Sequence, residues 1–183
     1  MIDYNNLNNS VNHYTNHGFN RIEVPWLVTE AVDSITRPKN VQPYIVEAKN
    51  KNLIASGEQG FLYLYLKEYL PKGSFQTVTP CFRNDSFDFT HTKYFMKNEL
   101  IQTDIVTQKR LEEVTKIALE FFQQFFNRVL TVDVTSDGFD IMLDDYELGS
   151  YGIRECEYLK WIYATGWAEP RMSKLINLYY EQK

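Results

Sequence analysis

Cysteine is scarce in this chain: two among 183 residues, Cys81 and Cys156, far apart and in no CxxC spacing. That excludes a disulfide framework and a cysteine-built zinc site. Basic runs are missing too. No Lys/Arg run exceeds two residues, and 24 acids against 19 bases give a net charge of −5 and a pI near 5.3. Nucleic-acid binders draw their affinity from a basic patch or stripe that neutralises phosphates, so no obligatory nucleic-acid partner is expected. There is no long apolar run, and the opening MIDYNNLNNS has neither a basic nor an apolar leader region. Neither a membrane span nor a targeting segment is expected, and a reducing cytoplasm is the expected setting. Repeats, linkers and low-complexity tracts are also lacking. A single domain over residues 1–183 follows, since domains usually run to roughly 100–200 residues.

Aromatics, by contrast, are plentiful: thirteen Tyr and twelve Phe suit a dense core and stacking on flat ligands. Residues 3–17 place Tyr4, Leu7, Val11 and Tyr14 on one helical face, with Asp3 to start the helix and Gly18 to end it. RIEVPWLV (21–28) reads as a strand whose Pro25 marks an edge or bulge. Residues 36–52 read as an irregular loop. SGEQGFLYLYLKEYL (56–70) is apolar at helical spacing and opened by Ser56, and PKG (71–73) is a turn. FQTVTPCF and KYFMKNELIQ form an antiparallel hairpin around the long polar loop RNDSFDFTHT. Residues 108–129 carry the clearest helical stripe, including Leu111, Val114, Ala118 and Phe122. Strands LTVDV, FDIML and YELGSYGI come next, and a last amphipathic helix follows Pro170, which suits a first helical turn. This order gives an α+β fold with an antiparallel sheet flanked by helices.

Three segments carry chemistry. Arg83 ends a strand and faces the polar loop, where its fixed fork of donors can grip a phosphate. His91 adds a second donor for a polyphosphate tail, and Phe95 on the returning strand offers a face to a purine. In DDYELGSYGIR (144–154), acids beside a Gly/Ser-rich strand offer hard oxygens to Mg²⁺. The glycines there allow close approach to the backbone, and Arg154 shares a face with Gly152. Finally, GWAEPR (166–171) reads as a small-residue turn into a helix start, a ready anion site.

In order and spacing these segments resemble the motifs of class II aminoacyl-tRNA synthetases, over nearly the whole chain. GFNRIEVPWLV is similar to motif 1, TPCFRNDSFDFTHTKYFMKNEL to motif 2 and GWAEPRMSKLI to motif 3. YELGSYGIRECEYL is similar to the Glu-Leu-Gly-Gly-Gly-Ser-Ile-Arg segment of aspartyl enzymes and to its counterpart in ammonia-dependent asparagine synthetase. LIASGEQGFLYLYL resembles the Ser-Pro-Gln segment of the aspartate/asparagine/lysine subgroup.

The resemblance implies ATP and Mg²⁺ as cofactors, and it implies roles. Arg83 and Arg171 are the expected catalytic pair on the phosphates, with Arg171 closing over the adenine that stacks on Phe95. Asp85 would sit by the adenine or the amino group, and His91 would reach the γ-phosphate. Glu147 and Asp144 are the expected metal ligands. Ser56, Gln59 and Gly149 would hold the amino acid, and Arg154 would pair with a carboxylate on its side chain. Adenylation asks a protein mainly for positioning and charge compensation, which these residue types supply. Two features depart from the family: Asp85 stands where Glu is usual, and Ala168-Glu169-Pro170 replace a glycine-rich run before Arg171. No anticodon-binding domain is expected within these 183 residues.

The expected function is ATP-dependent activation of an acidic amino acid, aspartate first, as an acyl-adenylate. Transfer would go to ammonia, an amine or another non-tRNA acceptor, from a homodimer built through motif 1. Two alternatives stand beside it: a tRNA ligase core working with a separate tRNA-binding partner, and a regulatory paralogue that binds ATP or amino acid without turnover.

Overall fold

Helix α1 (Tyr4–Asn16) starts at Asp3, whose carboxylate accepts from the N–H groups of Asn5 and Asn6. It stops at Gly18, which takes the left-handed φ of +88°. The computed structural model describes residues 1–39, 41–84 and 88–180. After α1 the chain contributes β1 (Asn20–Arg21) and β2 (Leu27–Val28), then α2 (Glu30–Thr36), β3 (Ile45–Val46) and β4 (Lys51–Leu53). Helix α3 (Gly57–Leu66) is capped by Ser56, and the long hairpin of β5 (Ser74–Phe82) and β6 (Tyr94–Gln102) follows. Helix α4 (Gln108–Gln123) leads to β7 (Thr131–Val134), β8 (Gly138–Leu143), β9 (Tyr146–Cys156), β10 (Leu159–Glu169) and α5 (Arg171–Tyr180).

Seven strands form the main sheet in the order β1-β5-β6-β10-β9-β8-β7, antiparallel except for the short parallel pairing of β1 with β5. The expected α+β fold with helices on an antiparallel sheet is what the chain adopts. One sheet face packs against α1, α4 and α5. There Trp167 stacks on Phe122, with ring centroids 5.6 Å apart, and meets Phe121 edge-on. The opposite face is covered at one end by α2, α3 and the small sheet β2-β4-β3, through Val24, Val28, Ile54, Phe61 and Trp161. At its other end that face stays open, and the site lies there.

Several sequence expectations change. Strand β10 was not expected, yet it lies at the middle of the sheet between β6 and β9. Its residues from Trp161 to Glu169 are all buried, so no alternation of polar and apolar residues reveals it. Gly166 is a bulge inside this strand, not a turn: the register shifts between Thr165 and Trp167, and Tyr14 donates to the Gly166 carbonyl at 3.0 Å. RIEVPWLV is two short strands in different sheets, separated by Pro25. Residues 36–52 are not a plain loop, for β3 and β4 fall inside them, and the helix of 108–129 ends at Gln123. Pro170 immediately precedes α5, and the peptide bond from Glu169 to Pro170 is cis.

Candidate active site

A cavity of about 280 Å³ opens on the uncovered part of the sheet, between α2, α3 and the ends of β5, β6, β9 and β10. Alternation along the strands builds its floor. On β6 this puts Phe95, Lys97 and Glu99 on one face, on β9 Ser150 and Arg154, and on β10 Tyr163 and Thr165. Arg83, just past β5, enters beside them. Its Nε donates to the Ala55 carbonyl at 3.1 Å, its guanidinium lies 5.2 Å from the Phe95 ring centre, and the side chain lines the cavity.

The nucleotide-like end is framed by Arg83, Phe95 and Arg171, which line both the main cavity and a smaller recess of about 20 Å³ that His91 also lines. Arg171 donates to Glu147, to its carbonyl at 3.1 Å and its carboxylate at 3.0 Å. His91 sits 2.7 Å from Asp88, and its backbone and ring hold the Asp88 carboxyl well below the usual carboxylate range. Asp85 lies outside the described residues.

The other end is a set of buried ion pairs. Glu58 accepts from Arg154 and from the Trp161 indole, each at 2.6 Å. Burial pushes its proton affinity up, with Glu99 adding to the shift and Arg154 opposing it. Arg154 also stacks on Tyr163, 3.9 Å from the ring centre. Glu99 accepts from Lys97 at 2.8 Å and from Ser56 at 2.6 Å. Burial works against its charge, yet Lys97, Ser56 and Arg83 hold its pKa below the ordinary value. Gln59 is spent inside the protein: it donates to the Asp33 carboxylate at 2.6 Å and accepts from the Ala55 N–H at 2.8 Å. Asp33 in turn is bound by Arg37 and Asn52.

Of the residues singled out from sequence, Ser56, Gln59, Arg83, Phe95, Glu147, Arg154 and Arg171 line the one cavity, with His91 in the adjoining recess. Two fall elsewhere. Asp144 occupies the β8–β9 turn at a φ of +50°, with its carboxylate held by Arg128 at 2.7 Å and Tyr179 at 2.5 Å; it faces away from the cavity. Gly149 is buried under Thr165 and Tyr151, where a Cβ would come within 2.9 Å of Thr165.

Lys97, Glu99, Glu58 and Asp140 were missed. Lys97 and Glu99 are charged residues two apart in an otherwise buried strand, a readable sign of a functional face. Asp140 interrupts the apolar strand FDIML and lies opposite Ser150 in the β8–β9 ladder. One of its carboxylate oxygens is buried without a partner, and desolvation raises its pKa, with Glu147 adding to the shift.

Among the described residues no three His, Cys, Asp or Glu side chains cluster as a metal site. Asp140 lies opposite Ser150 in the β8–β9 ladder, and Glu147, on the same strand as Ser150, lines the cavity with it. Two carboxylates and a hydroxyl fit an ion that takes its remaining ligands from phosphate oxygens and water, as Mg²⁺ does.

A strand-end arginine over an aromatic ring, a second arginine at a helix start and an acidic Gly/Ser strand, all on an antiparallel sheet, define a class II synthetase-type core. The family described as tRNA synthetases class II core domain (F) matches residues 56–182, and the chain belongs to it. Among solved structures it is similar to pyrrolysyl-tRNA synthetase from Desulfitobacterium hafniense, with 16% identity and a TM-score of 0.72 over 96% of this chain and 70% of that one. Cytoplasmic serine-tRNA ligase from Naegleria fowleri in complex with AMP gives 16% identity and 0.70 over 92% and 52%. Seryl-tRNA synthetase from Pyrococcus horikoshii complexed with ATP gives 15% and 0.68 over 91% and 48%. The chain thus spans about half the length of the seryl enzymes. Comparison with curated proteins finds no match. No helix among the described residues is long and apolar enough to cross a membrane.

Proposed function

We propose that the chain activates a carboxylic acid with ATP. A carboxylate oxygen bonds to the α-phosphorus, the bond from that phosphorus to the bridging oxygen breaks, and pyrophosphate leaves. The observation that carries this reading is the convergence of Arg83, Phe95 and Arg171 at one end of a single cavity. The guanidinium of Arg83, lining the cavity beside Phe95, would meet a phosphate as a pre-positioned fork against developing negative charge. Phe95 offers a ring for a purine, and Arg171, set by Glu147, stands past the end of β10 at the same end of the sheet as Arg83. Mg²⁺ held by Asp140, Glu147 and Ser150 would supply charge neutralisation on the phosphates.

The acidic side chain expected for the substrate rested on Arg154. Glu58 already neutralises that guanidinium, so the reading adopted here has no second substrate carboxylate at that point, and aspartate is set aside. For the acceptor we keep ammonia or a small amine. A net charge of −5 and cavity cations largely paired with acids support a small acceptor over a polyanionic tRNA. The test is ATP–pyrophosphate exchange, with AMP release on adding hydroxylamine, across a panel of carboxylic acids. Exchange with at least one acid, abolished in Arg83→Ala, is expected. Absence of exchange with every acid would refute the reading.

A further inference from the structure

We propose that β7, the outer strand of the main sheet, is a docking edge for an extended segment of another protein whose residues alternate between apolar and basic. This surface lies apart from the adenylation site, and the proposal stands or falls separately from that reading. β7 ends the strand order, and all four of its residues, Thr131 to Val134, are exposed. Thr135 donates its N–H to the Gly138 carbonyl at 3.0 Å and so begins the ladder with β8. Antiparallel ladders bond at every second residue, so Asp133 and Thr131 continue it inward. Val132 and Val134 then turn their N–H and C=O groups outward, where an added strand would meet them.

Proteins commonly blunt such edges with Lys, Pro or a bulge. β7 has none of the three: it reads TVDV, and its register with β8 runs without a shift. The opposite edge of the sheet, β1, is two residues long and carries Arg21.

The two faces of this edge differ, and the difference names the occupant. Val132 lies opposite Ile141, which is buried in the main core, and Val134 lies opposite Phe139, which packs against that core. Both valines are exposed, Val134 at 82%, so this side is an apolar margin that a neighbouring strand would prolong. Asp133 lies opposite Asp140, which in turn faces Ser150 on the cavity side of the sheet. That side is acidic. Residues 129–153 contain six acids, Asp133, Asp137, Asp140, Asp144, Asp145 and Glu147, and no Lys or Arg. Among the described residues two of the six have an ion-pair partner, Asp144 with Arg128 and Glu147 with Arg171. Side chains that are neighbours across a strand pair attract when oppositely charged and repel when alike. A strand laid along β7 therefore sets apolar side chains beside Val132 and Val134 and basic ones beside Asp133. A second copy of this chain is disfavoured for the same reason, because it would bring its own Asp133 and Asp137 onto the acidic face.

The test uses capped octapeptides that alternate Val with Lys or Val with Glu, added to the whole protein at low salt. Calorimetry should give the Val/Lys peptide a Kd below about 1 mM and the Val/Glu peptide at least tenfold weaker binding. Amide exchange at Val132 and Val134 should slow when the Val/Lys peptide is bound. Val134→Pro removes one outward N–H and leaves the bonds to β8 in place, so it should keep the urea midpoint and weaken the Val/Lys peptide at least tenfold. Asp133→Lys leaves the backbone unaltered and should reverse the preference between the two peptides. Absence of Val/Lys binding, equal binding of the two peptides, or a preference unchanged in Asp133→Lys would each overturn the proposal. So would protection of Val132 that rises with the concentration of the protein alone, which would give the edge to a second copy.

Discussion

Glu58 holds two donors in a place water hardly reaches, and its removal has a directional consequence. In Glu58→Gln the amide can still accept from Trp161, but Arg154 loses its counter-ion and becomes available to an incoming carboxylate. Dicarboxylic acids should then bind at least tenfold more tightly than to the unaltered protein by calorimetry, within the range for a desolvated charge pair. An unchanged affinity would mean that Arg154 does not face the acid. Glu99 governs a response to pH. Its pKa is depressed in the fold, so its contribution to stability is complete above the ordinary carboxylate range and is lost as the pH falls through the lower folded value. Glu58 is shifted upward, so its ionisation opposes folding as the pH rises through its own folded value. Between pH 5 and 3, Glu99→Gln should show a shallower loss of urea stability than the unaltered protein, by at most ~1.4 kcal/mol per pH unit, the limit for one proton. Equal slopes would show that Glu99 shares its proton equally with the unfolded chain.

Elements differ in how plainly the sequence marks them, and burial on both faces is what hides them. Strands β5 and β6 were legible because turn residues bound them and a polar loop separates them. Helices α1 and α4 were legible because each has one wet face. β10 has apolar neighbours on both sides of the sheet and a bulge at Gly166 that imitates a turn. The site was half legible for a related reason. Arg83, Phe95 and Arg171 stand at element ends, where polar residues draw notice, whereas Lys97, Glu99 and Asp140 sit inside strands that read as core. Helix α3 is fixed by contact as much as by its cap. A Cβ on Gly60 would come within 2.8 Å of Val24 Cβ and 2.9 Å of the Pro25 carbonyl. Overpacking of this kind costs about 1–3 kcal/mol, against ~1 kcal/mol of helix propensity gained. Gly60→Ala should therefore lower the urea midpoint at constant m, and a raised midpoint would show that the segment around Pro25 yields freely.

On the scale of the whole molecule, β1 is one edge of the main sheet, Asn20, Arg21 and Glu23 are exposed, and Trp26 is half exposed. A two-fold pairing through this edge would cover them, so light scattering at micromolar concentration should give twice 21.7 kDa. A 21.7 kDa species alone would exclude the homodimer. With ATP, Mg²⁺, the best labelled acid and total tRNA, no acid-precipitable label is expected, while hydroxylamine should release AMP from the same mixture; efficient tRNA labelling would overturn the small-acceptor reading. The strand order has one more consequence, in the time domain of synthesis. β6 cannot find its inner neighbour until β10 has left the ribosome, and residues 103–158 are made in between. At about 5–20 residues per second, the interval from Gln102 to Glu169 lasts roughly 3–13 s. For that time the nascent β5–β6 hairpin shows a bare edge that already carries Lys97 and Glu99, and an ion pair on an unfinished strand keeps that edge wet and discourages pairing with a neighbouring chain.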